Sequence, residues 1–166
     1  MRLTGKARIA GVIGWPVSHS RSPALHGYWL KQYSIDGALL PLAVAPEDLS
    51  LALKALPKMG FAGACVTLPH KEQTLTLMDD VDPAAQTIGA VNTIIVGDHG
   101  QLIGSNTDGF GFIENIRQTI PKWNPRGGSA VVLGAGGAAR AVTYGLAEAG
   151  VDRICLVNRT EGKAQR

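Results

Sequence analysis

The stretch VVLGAGGAARAV, Val131–Val142, leaves the backbone around it little freedom. Val131, Val132 and Leu133 run into Gly134, and apolar side chains at helical spacing follow Gly137. Gly134, Gly136 and Ala139 match the G-x-G-x-x-A form of the dinucleotide fingerprint. The first glycine permits a tight turn, the second lets the backbone approach a pyrophosphate, and the small third residue lets the helix pack closely on the strand. An anion placed there faces the unpaired N–H groups and the positive end of the helix dipole. A glycine turn can also be purely structural. Here an apolar strand precedes it, an amphipathic helix follows, and Ile154–Val157 supplies a second strand. That context predicts a Rossmann-like βαβ unit with Gly134, Ala135, Gly136, Gly137 and Ala138 at the phosphates.

The end of the second strand selects the dinucleotide. An NAD site places an acidic residue there for the ribose 2′-hydroxyl. This chain reads VNRTEGK, with Asn158, Arg159 and Thr160 in that place. A guanidinium pairs with a 2′-phosphate, so NADP is the expected cofactor. Lys163 adds a second positive charge, and Glu161 opposes it mildly. The alternative is that Asn158 caps the next helix and Arg159 is solvated.

Upstream, strand and helix signals alternate. Strands are expected at Ile9–Gly14, Ala38–Val44 and Gly63–Thr67. Ser22-Pro23 opens a helix to about Tyr33, with serine as the cap. A helix starts near Pro46 and runs to Pro57, another follows Lys71, and Asp82-Pro83 starts a short one. Ala90–Val96 and Gln101–Ser105 flank GDHG as a hairpin. Asn106–Gly109 is a turn with capping chemistry, and Phe110–Thr119 is helical. The proline- and glycine-rich stretch 121–128 marks a boundary. The fold class is therefore α/β. Residues 1–110 form one α/β domain with a mostly parallel sheet and helices on both faces. Residues 111–128 connect, and 129–166 begin the Rossmann-like domain, which is expected to be incomplete because one βαβ unit cannot bury both faces of its sheet.

Several function classes are disfavoured. The net charge is only +3 and basic residues are scattered, which argues against nucleic acid. The short apolar run after Arg2, Lys6 and Arg8 lacks a cleavage site, and no stretch has the length of a membrane span. The two cysteines, Cys65 and Cys155, lie in separate strand-like runs and read as buried free thiols in a reducing compartment, so a cytoplasmic location is expected. His19 and His26 lack the spacing of a helical metal pair, and no metal site is expected.

The first domain carries isolated polar residues in suggestive places. Ser18 and Ser20 alternate after the first strand and suit a carboxylate or polyol, or else serve as turn and capping residues. Asn92 is an amide inside an apolar strand, where it must be hydrogen-bonded. Asp108 stands at a helix start, where it fits an N-cap. Lys71 follows CVTLPH at the start of a helix, a position unfavourable for a cation.

Taken together, GWPVSHSRSPALH, VTLPHK, IGAVNT, SNTDGFG, GAGGAARAV and NRT stand in the order found in shikimate dehydrogenases, which this chain resembles over nearly its whole length. The resemblance implies reversible NADPH-dependent reduction of 3-dehydroshikimate to shikimate, on the route to aromatic amino acids, in a cleft between a substrate domain and a cofactor domain. It implies that Ser18 and Ser20 bind the substrate carboxylate, that Thr67, Asn92 and Asp108 bind ring hydroxyls, and that Lys71 and Asp108 form the catalytic pair. An oxygen that gains negative charge as its carbon accepts hydride needs a proton donor, and an ammonium held at the tip of a strand is one. Cys65 departs from the asparagine common at that place, and Lys163 from an arginine. Family members run to roughly 270 residues, on the scale of two domains. An NAD-tolerant quinate/shikimate dehydrogenase and a non-catalytic hydroxy-acid-binding chain are the other readings. The expected partner is a small molecule, and a homodimer is compatible with the sequence.

Overall fold

The computed structural model describes residues 3–160 and Gly162. Eight strands and six α-helices are described: β1 (Arg8–Gly14), α1 (Ser22–Gln32), β2 (Gly37–Ala43), α2 (Leu49–Ala55), β3 (Phe61–Val66), α3 (Lys71–Leu75), β4 (Asp80–Val81), α4 (Pro83–Ile88), β5 (Thr93–Val96), β6 (Leu102–Ser105), α5 (Asp108–Thr119), β7 (Ser129–Leu133), α6 (Gly137–Ala149) and β8 (Arg153–Val157). The first six strands form one sheet in the order β2-β1-β3-β5-β6-β4, and β7 and β8 form a second. β1 pairs in parallel with β2 and β3, β4 with β6, and β7 with β8. β5 runs antiparallel to both β3 and β6. The hairpin over GDHG forces the β5–β6 reversal, because two strands joined by a short loop pair in opposite directions; the antiparallel β5–β3 contact is set by tertiary pairing.

One face of the large sheet carries the main core. Ile13, Ala64, Val66, Ile94 and Leu102 project from the strands and meet Leu49 and Leu53 from α2, Leu56 just after it, and Ala85 from α4. On the other face Val12, Val17 and Leu39 form a smaller cluster with Ala10 and Cys65. Alternation along β3 places Ala64 and Val66 in the first cluster and Cys65 in the second, as the pleat requires. The second sheet rests on α5 and α6 through Ile113, Val132 and Leu146. α5 and α6 cross where both are glycine: a Cβ on Gly109 would stand 2.6 Å from the Ala141 carbonyl oxygen, and one on Gly145 2.8 Å from the Gly109 carbonyl oxygen. Only the bare backbone allows that approach.

Several local expectations are corrected. The span from Pro46 to Pro57 is not one helix: a 3-10 turn at Pro46–Asp48 precedes α2, and Pro57–Met59 forms another. Pro57 lacks the N–H that would continue α2. Ser22 is the first residue of α1 and not its cap; the Ser20 hydroxyl accepts from the Ser22 N–H at 3.3 Å. Ala90, Val91 and Asn92 precede β5, because the Val91 N–H is taken by the Lys71 carbonyl. Asp108 lies inside α5, Thr107 occupies the cap position, and the Asn106 side chain accepts from the Asp108 N–H. Both cysteines are free, but Cys155 is exposed, since the face of the small sheet that carries Val131, Leu133 and Val157 is also exposed. β4 was not anticipated; two residues leave no periodic signal. Among the described residues no helix is long and apolar enough to cross a membrane.

Candidate active site

The pairing directions decide which loops meet. β1, β3 and β6 run the same way, so the segments that leave them emerge at one edge of the sheet, and the antiparallel β5 begins at that same edge. Ser18 and Ser20 follow β1, Thr67 and Lys71 follow β3, Asn92 precedes β5, and Asp108 follows β6. Residues up to 90 positions apart are thereby gathered on one rim.

The turn after β3 is held from several sides. The Thr67 N–H donates to the Ile13 carbonyl at 2.9 Å, and the His70 N–H to the Thr67 carbonyl at 3.1 Å. His70, only 1% exposed, joins the Val44 carbonyl through Nε2 at 2.8 Å. Its own carbonyl accepts from both the N–H and the hydroxyl of Thr74. The Lys71 carbonyl accepts from the Val91 N–H at 2.9 Å. Lys71 is therefore fixed by its backbone before its side chain makes any contact.

Lys71 Nζ donates to Asp108 Oδ2 at 2.5 Å, with the two side chains 17% and 29% exposed. The other carboxylate oxygen, Oδ1, accepts from Asn92 Nδ2 at 2.8 Å. Asn92 Nδ2 also donates to Thr107 Oγ1, and Asn92 Oδ1 accepts from the Thr107 N–H at 3.0 Å and the Thr93 hydroxyl at 2.8 Å. Asn106, 8% exposed, donates to the Ala90 carbonyl and so ties the start of α5 to the segment that holds Asn92. The result is a chain of charge-assisted contacts whose ammonium keeps donors to spare for a ligand oxygen.

Lys71, Asn92 and Asp108 are thus joined by direct contacts. Thr67 stands four residues ahead of Lys71 in the same held turn. Ser18 and Ser20 lie on the neighbouring loop, linked to the β3 turn by the Trp15 N–H to Leu68 carbonyl bond. Among the described residues no hydrogen bond connects either serine to Lys71, Asn92 or Asp108. Ser18 is exposed, and Ser20 helps start α1. Asn106 and Thr107 belong to the capping turn expected at Asn106–Gly109, and their bonds to the Ala90 carbonyl and to Asn92 bring them into the site; His70 is not singled out by the sequence. The SNTDG stretch marks the first two, since short polar side chains before a helix bond to nearby backbone. Burial of His70 has no local signal.

At the second sheet, Gly134 has φ +112°, a conformation that requires glycine, and its N–H donates to the Val157 carbonyl at 2.8 Å. Gly136 is the N-cap of α6, and a Cβ there would meet nothing within 4 Å, so the helix N-terminus is open. Ala135 is buried beneath the turn, and Gly137 and Ala138 form the first turn of α6. Parallel pairing of Leu133 with Val157 brings Asn158, Arg159 and Thr160 to the same edge as the glycine turn. Asn158 Nδ2 donates to the Thr160 carbonyl, and Arg159 is exposed. Lys163 lies outside the described residues. An open helix N-terminus beside an exposed guanidinium fits the pyrophosphate and 2′-phosphate of NADP. The two regions touch: a Cβ on Gly137 would lie 3.1 Å from Lys71 Cβ.

A family model described as the shikimate dehydrogenase substrate binding domain matches residues 12–94, half of the chain. The chain belongs to that family. Its relatives include the shikimate dehydrogenase (NADP(+)) of Paramagnetospirillum magneticum, 62% identical over 162 residues, which cover 98% of this chain and 59% of the relative. Among solved structures, the shikimate dehydrogenase of Aquifex aeolicus superposes with a TM-score of 0.91 at 36% identity, covering 99% of this chain and 60% of that one. The shikimate 5-dehydrogenase of Thermus thermophilus, in complex with NADP(H) and shikimate, gives 0.85 at 40% identity, covering 95% and 58%. The chain therefore spans about three-fifths of the length of these relatives. The matched segment contains Ser18, Ser20, Thr67, Lys71 and Asn92, whereas Asp108 and the glycine turn lie beyond it.

Proposed function

We propose that this chain carries the substrate domain and the leading part of the nucleotide domain of an NADP-dependent shikimate dehydrogenase, which interconverts 3-dehydroshikimate and shikimate. The observation that carries the proposal is the Lys71–Asp108–Asn92 cluster lying against the first turn of α6. A proton donor, its orienting carboxylate and a dinucleotide turn within one neighbourhood suit reduction of a carbonyl next to polar ring substituents. The names of the relatives and the shikimate and NADP(H) bound in the Thermus structure support the same reading. The division into 1–110, 111–128 and 129–166 belongs to this proposal, with α5 as the bridge between the two sheets.

Lys71 Nζ gives its proton to the carbonyl oxygen of 3-dehydroshikimate and takes one from the hydroxyl in the reverse direction. Asp108 Oδ2 directs the ammonium, and Asp108 Oδ1 with Asn92 leaves a polar rim for the ring hydroxyls. Thr67 contributes to that rim, and Ser18 and Ser20 face the substrate carboxylate. NADP, held by residues 134–138 and 158–160, supplies hydride chemistry when bound. The free thiols at Cys65 and Cys155 agree with a cytoplasmic setting.

The test is oxidation of shikimate by the full-length protein with NADP⁺, followed through reduced-nicotinamide absorbance. Lys71→Met is expected to lower kcat by roughly 10²–10⁴-fold with the shikimate KM nearly unchanged. Wild-type-like turnover in that variant refutes the assignment of Lys71. Shikimate binding without turnover in the wild type favours a non-catalytic hydroxy-acid binder instead.

A further inference from the structure

The first turn of α6 touches more than the stem of Lys71. Arg140, in the first turn of α6, reaches across to α3 and to the corner that follows α4. Its Nη2 lies 3.7 Å from Oε2 of Glu72, the residue after Lys71. Its Nη1 fills the space where Gly89 lacks a side chain: a Cβ there would stand 3.2 Å from it. Its Nε is buried and has no hydrogen-bond partner among the described residues. Below it Ala141 packs on Ile88 and Ala90, which flank Gly89. The ion pair alone is long and Glu72 is half-exposed, so Coulomb attraction contributes little. The hold comes from a planar group packed over a glycine, with the Lys71 stem 3.1–3.4 Å from a Cβ on Gly137 beside it.

We propose that Arg140 is a positioning residue: it keys the glycine turn of α6 onto the first turn of α3 and the Gly89 corner, and so sets the spacing between the Lys71 amine and whatever the turn holds. The inference rests on the function proposed above and adds a residue that neither binds substrate nor moves a proton. Misplacement of reacting groups by an ångström is costly, and only the junction of these two turns separates them.

Arg140→Met keeps the stem and removes the guanidinium. In the full-length protein it is expected to lower kcat about tenfold while the shikimate KM stays within about twofold, because the substrate-binding rim is untouched. Backbone amide exchange over residues 71–76 is expected to speed up locally, about tenfold, with the β-sheet core unchanged. Glu72→Gln is expected to shift both readouts far less, since packing dominates. Unchanged exchange at 71–76 overturns the proposal whatever the turnover. So does faster exchange with unaltered kcat, and so does a rise in exchange throughout the chain, which marks a merely structural residue. Failure of the wild type to oxidise shikimate sinks the functional reading, and the exchange measurement still decides the keying.

Discussion

Asp108→Asn tests the central pair with minimal change of shape. The carboxylate now accepts from Lys71 Nζ at 2.5 Å through Oδ2 and from Asn92 Nδ2 at 2.8 Å through Oδ1. A carboxamide offers one acceptor and one NH₂ group, so one of these donors must lose its acceptor. Asn92 Nδ2 has a second acceptor, Thr107 Oγ1 at 3.0 Å, whereas Asp108 is the hydrogen-bond partner described for Lys71 Nζ. The amide oxygen is therefore expected to turn to Lys71, and its NH₂ group to Asn92. The ammonium donor stays ionised, so the bond stays charge-assisted, but it loses its ionised acceptor and with it the attraction between the two charges. For a pair whose side chains are 17% and 29% exposed that loss is about 1–1.5 kcal/mol. At about 1.4 kcal/mol per decade this is roughly a tenfold fall in kcat for shikimate oxidation, if the pair orients the amine in the transition state. Steady-state kinetics of the full-length protein measure it. Turnover within twofold of wild type would mean the carboxylate does not orient Lys71. A loss of a thousandfold or more would also refute the reasoning, since it would make Asp108 itself the proton-transfer group.

Burial raises the Cys65 thiol pKa above its ordinary value, which lowers its thiolate fraction at any pH below that pKa. Iodoacetamide at mildly alkaline pH should therefore modify the exposed Cys155 well before Cys65, with Cys65 labelling rising only as pH increases; peptide mass mapping that finds Cys65 equal or first contradicts this. Leu53 is 1% exposed within the main core, so Leu53→Ala should cost about 2–5 kcal/mol of stability by denaturant unfolding, and a loss below about 1 kcal/mol would show that the α2 contact is not part of the core.

The residues that bear chemistry were legible one by one. Lys71 stood out because a cation opens a helix after a proline turn, and Asn92 because an amide interrupts an apolar run. What could not be read was their company. Asp108 alone fits an N-cap as well as it fits a lysine partner; its place inside α5, with Thr107 at the cap, removes the first role, and its distance to Lys71 shows the second. Ser20 is open to both of its readings: its hydroxyl oxygen accepts from the Ser22 N–H at the start of α1, and a hydroxyl that accepts there can still donate to a ligand. The role of Arg140 is not legible in the sequence, because nothing near it announces Gly89 or Glu72 as its neighbours.

Sequence alone determined the α/β alternation, the glycine turn and the helix that starts after it, the hairpin and the placement of Lys71 at a helix start. Each of these follows from backbone preferences and burial periods expressed within a dozen residues. Tertiary structure decided that β5 enters the sheet antiparallel, that the rims of β1, β3, β5 and β6 coincide, that Cys155 is exposed, and that α6 reaches the Lys71 turn. Those outcomes depend on which strand edges pair and which helix faces pack. They are selected by contacts between segments tens of residues apart, whose complementarity no local pattern encodes.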